Sequence, residues 1–200
     1  MYLFTSTIWF RVLLIVNSAL LLTAWFVLRT YNRLIILRNK VRVDYSDIDV
    51  QLHKRSSLVQ NLVDMVKEYA KHENSTFKQV AKARSAVDTS KNAREAAEAD
   101  NELTKTLRSL MMVTEAYPEL KADTSFQNMR ADLMQIEGDI ARYREEYNQT
   151  VTTFNNQVQT FPNLLVANLL TFEEAVLFQP GSSEVLDIKG LGEDETKKSK

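Results

Sequence analysis

The side chains that could carry chemistry in this chain are two histidines, a pair of aspartates and two arginines at apolar helix positions. His53 and His72 fall on one predicted helix, roughly 28 Å apart along its axis and about 100° around it, so they cannot share a site within one chain. No Glu-x-x-His pair of the kind that builds di-metal centres in helical bundles occurs. Glu68 and His72, four apart, read as a surface pair. Asp47 and Asp49 diverge by about 200° and flank Ile48 from either side, which suits bonding to neighbouring helices rather than paired-carboxylate catalysis. Arg55 and Arg84 fall on the apolar stripe itself, where a charge must be paired. Glu102, Glu115, Glu137 and Glu146 on later helices are the candidate partners, and the expectation is a register-setting pair inside the bundle. Gly-rich phosphate loops and Ser/His/Asp sets are not visible, and no catalytic, cofactor-binding or metal-ligating residue is assigned.

The elements that must position these groups are helices. The chain has 200 residues with 44% hydrophobic and 26% charged side chains, an ordinary folded composition, but only 4 Gly and 3 Pro. Neither occurs before Pro118, so the first half of the chain has no cheap place to turn. Scattered β-branched residues complete the signature of an all-α fold. The absence of Cys removes disulfides, thiolate metal sites and cysteine nucleophiles together.

Residues Ile8 to Leu28 (IWFRVLLIVNSALLLTAWFVL) are apolar over roughly 30 Å of helix, the thickness of a bilayer core. Trp9 and Trp25 sit near the two ends, where amphipathic rings favour the interface. Arg11 can snorkel; Asn17 cannot, and is read as bonding its own helix or a neighbouring copy. The flanks do not resemble a cleaved signal peptide, so an uncleaved anchor over residues 1–29 is expected. Arg29, Arg33, Arg38, Lys40 and Arg42 precede the first acidic residue, Asp44, and the positive-inside rule then puts residues 29–200 in the cytoplasm with a short N-terminus outside. Beside a span, this basic cluster is read as resting on anionic lipid; no nucleic-acid partner is expected.

Past the anchor, apolar residues from Leu34 to Val87 recur at helical spacing, interrupted near Arg55 and Glu73, and predict one helix from the span to about Val87. Asp88 to Asn92 supplies a hairpin. A second helix, Ala-rich at first, is expected to stop at Tyr117, with Pro118 to Thr124 extended. The third, Phe126 to Phe161, has apolar intervals of 3 or 4 throughout. Pro162 suits the first turn of a fourth, Asn163 to Phe178. The expected architecture is an antiparallel four-helix bundle with long first and third helices over residues 30–179, running up, down, up and down on its single-pass anchor. Residues 180–200 read as a disordered tail, or as a docking peptide through Val185, Leu186 and Ile188.

Several runs resemble the LemA family: Tyr31-Asn32-Arg33-Leu34, Leu37-Arg38-Asn39 and Val41, then Ser46-Asp47-Ile48-Asp49-Val50-Gln51-Leu52, Lys54-Arg55, Asn61-Leu62-Val63 and Tyr69-Ala70. Ala83-Arg84, Glu115-Ala116-Tyr117-Pro118, Tyr147-Asn148, Phe154-Asn155 and Phe161-Pro162 extend the likeness over roughly residues 10 to 178. Tyr45 stands where the family usually has Trp and Gln60 where it usually has Pro. The resemblance implies a bacterial single-pass inner-membrane protein with a cytoplasmic helical bundle and no established enzymatic reaction, and members are linked to magnetosome membranes. Asn17, Arg38, Asn39, Asp47, Asp49, Arg55, Asn61 and Arg84 are the candidates for an interaction surface or buried polar network.

The functional expectation is therefore a membrane-anchored scaffold that contacts the lipid bilayer, forms a homo-oligomer and organises envelope proteins yet to be identified. The alternative is a regulatory adaptor or sensor that passes an envelope signal to a partner such as a membrane protease. An enzyme is the least favoured class, and no cofactor is expected.

Overall fold

A computed structural model describes the backbone of residues 2–178 and the side chains of residues 9–178. The tail expected from residue 180 onward lies outside the described residues. Everything regular in the described chain is helical: α1 (Tyr2–Tyr69), α2 (Asn74–Thr89), α3 (Ala93–Thr114), α4 (Pro118–Ala122), α5 (Thr124–Gln159) and α6 (Asn163–Leu169).

Among the described residues six helices stand where four were expected, and each difference has a physical cause. The single helix predicted to reach Val87 breaks after Tyr69, although no Gly or Pro is present. Ala70 N–H still bonds Val66 O at 2.8 Å, then Glu73 N–H closes a turn onto Ala70 O at 3.2 Å. From Lys71 to Thr76 the sequence offers no apolar residue to bury and is rich in Asn, Ser and Thr, whose side chains compete with helical backbone bonds. A helix continued through it would gain nothing from packing. The next turn falls where predicted. Ser90 N–H bonds Val87 O, and Asn92 caps α3 by accepting from Glu95 N–H at 3.0 Å, while the Glu95 carboxylate reaches back to Lys91 N–H at 2.9 Å.

Pro118 does not open an extended connection. It takes the first position of α4, where its missing N–H costs no bond, and Asp123 then caps α5 by accepting from Ser125 N–H at 2.7 Å and Phe126 N–H at 3.1 Å. The last helix is shorter than predicted. α6 ends at Leu169 because the chain turns through Thr171, at φ 53, in a Schellman closure: Phe172 N–H bonds Ala167 O at 3.0 Å and Thr171 N–H bonds Asn168 O at 3.3 Å. The sequence carries no Gly to announce this ending.

The chain forms two compact units: Met1–Arg42 with Thr150–Ala175, and Val43–Gln149 with the residues from Val176 on. In the first, Leu34 of α1, Phe154 and Val158 of α5, Ala167 of α6 and Phe172 form a buried core. Lys40 donates to Thr150 at 3.0 Å and Thr30 donates to Asn163 at 3.4 Å, so α1 runs antiparallel to the chain leading into α6. The apolar stretch of α1 has no buried residue, and among the described residues α1 is the one helix long and apolar enough to cross a membrane.

In the second unit, Ile48, Leu52, Val59 and Leu62 of α1 are buried with Val80 of α2, Leu103 and Leu107 of α3, and Leu133 and Ile140 of α5. Arg84 of α2 bonds Ser56 O of α1 at 2.8 Å and His53 meets Asp88 at 3.3 Å, so these two helices are antiparallel. Tyr45 packs on Tyr147 and Arg55 pairs with Glu137, which makes α5 antiparallel to α1. The expected order put the long first and third helices in the same direction. The unpredicted turn at residues 70–73 adds one reversal and so inverts that relation.

Candidate functional site: a buried charge cluster

Arg55 occupies the α1 stripe between Leu52 and Val59, and its side chain is 1% exposed. A guanidinium held out of water must find anionic acceptors, and it finds them on two other helices. Arg55 Nη1 donates to Asp100 Oδ1 at 2.6 Å, and Nη2 donates to Thr104 Oγ1 at 3.0 Å while also touching the Glu137 carboxylate. The other Asp100 oxygen accepts from Arg144 Nη2 of α5. Asp100 is as buried as Arg55 and joins two guanidinium groups. It lies in the Ala-rich start of α3, where Ala96, Ala97 and Ala99 are buried and their small side chains leave volume for the arginine. Two cations and two anions balance.

Burial pushes the Arg55 guanidinium below its ordinary value, and the Glu137 carboxylate opposes that. Arg144 is pushed down to about 10, first by burial and then by the charge of Arg55. Both stay protonated at neutral pH. Among the described residues, Nε of Arg55 and Nε of Arg144 have no hydrogen-bond partner. Charges paired with one another across α1, α3 and α5 tie the register of the three helices together.

A non-helical strap, residues 172–178, reaches this cluster at its end. The guanidinium of Arg144 lies 4.8 Å from the ring centre of Phe178, which is fully buried. Asn148 holds the Phe178 backbone at both ends of its amide, accepting from Phe178 N–H at 2.8 Å and donating to Phe178 O at 3.0 Å, and Tyr147 donates to Val176 O at 2.8 Å. In the other unit Asn155 makes the same two bonds with Ala175, each 2.9 Å. A side-chain amide thus replaces the neighbouring strand that an extended segment lacks.

The predicted site residues divide accordingly. Arg55 is paired as expected, and of the four candidate glutamates Glu137 contacts it. Arg84 is not paired with any of the four. It is half-buried, donating from Nε to Ser56 O and from Nη1 to Gln60 Oε1. Glu102, Glu115 and Glu146 pair instead with Lys105, Lys121 and Arg142. Asp49 meets His53 of its own helix at 3.8 Å, not a neighbouring helix, and Asp47 is exposed. His72 sits in the turn after α1, so it and His53 do not share a helix. Arg38 is exposed with its guanidinium 5.3 Å from the Phe172 ring centre, while Asn17, Asn39 and Asn61 are exposed.

Asp100, Thr104, Arg144 and the strap contacts of Asn148 and Asn155 escape sequence reasoning. Asp100 stands one helical turn before Leu103, so the phase test that singled out Arg55 also finds it. Among the described residues, no three His, Asp or Glu side chains gather to hold a metal ion.

Comparison with known proteins gives relatives at low identity. The magnetosome proteins MamQ 2 and MamQ 1 of Paramagnetospirillum magneticum (strain ATCC 700264 / AMB-1) are each 25% identical over 194 residues, covering 83% of this chain and 71% of theirs. Protein LemA of Metamycoplasma hominis is 24% identical over 160 residues, covering 78% of this chain and 72% of its own. The pattern of the LemA family matches residues 44–188, well over half of the sequence, and the chain therefore belongs to the LemA family.

Proposed function

We propose that this chain is a membrane-tethered helical scaffold of the bacterial inner membrane, with its short N-terminus outside, its helical units in the cytoplasm, and copies of itself and other envelope proteins as partners. The observation that carries the reading is the apolar stretch of α1, which has no buried residue and is followed by Arg29, Arg33, Arg38, Lys40 and Arg42 before any acidic residue. Apolar surface left bare by its own fold needs lipid, and the basic collar favours the cytoplasmic side. The buried charges support binding over catalysis, since each is paired with another across the helices. Relatives named as magnetosome proteins favour a part in membrane organisation.

Three measurements test it. A reporter fused after Lys200 is expected to be active only in the cytoplasm; activity outside overturns the orientation. Native mass spectrometry of gently extracted protein is expected to give oligomers, and a strictly monomeric particle, or a single dominant regulated protease in a pull-down, would replace the scaffold with the adaptor reading.

A further inference from the structure

Within the unit built from Met1–Arg42 and Thr150–Ala175, the chain leaves α5, turns through Thr160, Phe161 and Pro162, and forms α6. One side of α6 is buried through Val166 and Ala167. The other is not: Leu165 is 62% exposed and Leu169 76%, four apart and therefore on one face of α6, and Phe161, in the turn just before the helix, is 74% exposed. Bare apolar side chains this large on adjacent turns are a surface waiting for an apolar neighbour.

Its place along α1 says which neighbour. Thr30 donates to Asn163 at the start of α6, and Thr30 stands two residues past Leu28, the end of the apolar stretch. Two residues are about 3 Å of helical rise, so α6 begins at the level where α1 leaves the bilayer core. Trp25 and Leu28, 59% and 62% exposed, carry the lipid-facing surface of α1 up to that level. Arg29 and Arg33 are exposed there, and the Arg29 guanidinium lies 5.4 Å from the Trp25 ring centre. From Tyr147 to Phe172 the sequence contains no Asp, Glu, Lys, Arg or His, so nothing ionisable has to be desolvated if this segment enters the interface. Charge returns with Glu173 and Glu174, both exposed.

We infer that the turn at Phe161 and the outer face of α6 form a second membrane contact, seated at the boundary of headgroups and acyl chains in the same bilayer that α1 enters. Phe161, Leu165 and Leu169 sit among the upper acyl carbons, and Arg29 and Arg33 meet lipid phosphates beside them. The span alone leaves this unit free to tilt in the bilayer and to turn with α1 about the helix axis; the second contact fixes one face of it to the membrane plane. The inference rests on the reading of α1 as a span.

The chain contains no Cys, so single-cysteine variants of the full chain carry one spin label each. Ala19→Cys, Asn39→Cys, Leu165→Cys and Leu169→Cys are reconstituted into vesicles of phosphatidylcholine and phosphatidylglycerol, and collisions with oxygen and with a water-soluble nickel chelate are compared. All four positions are exposed, so the label displaces no core packing. The expected result is an oxygen-to-nickel ratio at 165 and 169 severalfold above that at 39, with 19 deeper still. Nickel access at 165 and 169 equal to that at 39, with 19 protected, overturns the second contact and leaves the span intact. Nickel access at 19 overturns the span and this inference with it. Shielding of 165 and 169 from both reagents shows a protein cover, such as a second copy, and also overturns it. Phe161→Trp with Trp9→Phe and Trp25→Phe gives an independent readout: bromine on the upper acyl carbons is expected to quench its fluorescence severalfold more than bromine near the bilayer centre, and equal weak quenching counts against the contact.

Discussion

Arg55 and Asp100 meet at 2.6 Å, each 1% exposed, although they stand 45 residues apart in the chain. The pair is a desolvated ion contact between α1 and α3, and it is stable only because Asp100 also takes Arg144 and Arg55 also touches Glu137.

The cluster predicts unequal losses. Asp100→Ala leaves two guanidinium groups facing each other over a single carboxylate and is expected to cost about 3–5 kcal/mol. Arg55→Met leaves Asp100 paired with Arg144, and Glu137, 28% exposed, can turn to water, so it is expected to cost less than half as much. Urea unfolding of the detergent-solubilised chain, followed by circular dichroism, measures both; equal losses would contradict the arrangement.

The strap is expected to open locally without its amide partners. Asn148→Ala removes the bonds to Phe178 and Asn155→Ala those to Ala175, each at a cost of about 1–3 kcal/mol. Hydrogen exchange read by mass spectrometry on peptides covering residues 172–178 should accelerate in both variants while the α3 peptides stay protected. Unchanged exchange would mean the strap is held by other contacts.

Alkaline pH should loosen the second unit. Burial, and then the neighbouring Tyr45, push the Tyr147 phenol up to about 12, from the ordinary 10.0 of the unfolded chain. Between those values the folded protein binds more protons than the unfolded one, so the stabilisation is complete below pH 10 and lost as pH rises through 12. Tyr147→Phe should show a flatter decline over that window, from a plateau about 1 kcal/mol lower because the bond to Val176 O is gone. Denaturant titrations at pH 8, 10, 11 and 12 provide the comparison.

The break after Tyr69 makes one proline substitution harmless. Asn74 is the first residue of α2, where proline needs no donor, so Asn74→Pro is expected to change stability by less than about 1 kcal/mol. Lys78→Pro, in the interior of α2, is expected to cost about 3 kcal/mol or more. Were the helix continuous from α1, both would be equally damaging, and thermal melts of the two proteins settle the matter.

Thr171 holds a backbone conformation that suits glycine. At φ 53 its β-branched side chain is strained, so Thr171→Gly is expected to raise stability by about 1 kcal/mol. The Schellman closure from Phe172 to Ala167 should survive, and a fall in the urea midpoint would show that the threonine side chain has a role beyond the turn.

The sequence by itself determined the helical class, the apolar stretch of α1, the turn at Ser90 to Asn92 and the length of α5, because each is written in local terms: an uninterrupted apolar run, a cluster of cap residues, a period of 3 or 4. It also marked Arg55 as a charge in an apolar phase. Only the tertiary structure decided that Asp100 would answer it, since matching a buried cation to a carboxylate 45 residues away depends on how α1, α3 and α5 are registered, not on any spacing within one helix. The turn at residues 70–73 and the ending of α6 at Thr171 were likewise decided by packing. A stretch without apolar side chains forms a helix or a reversal according to what its flanks can bury, and here Val66 and Phe77 are buried on either side of the bend.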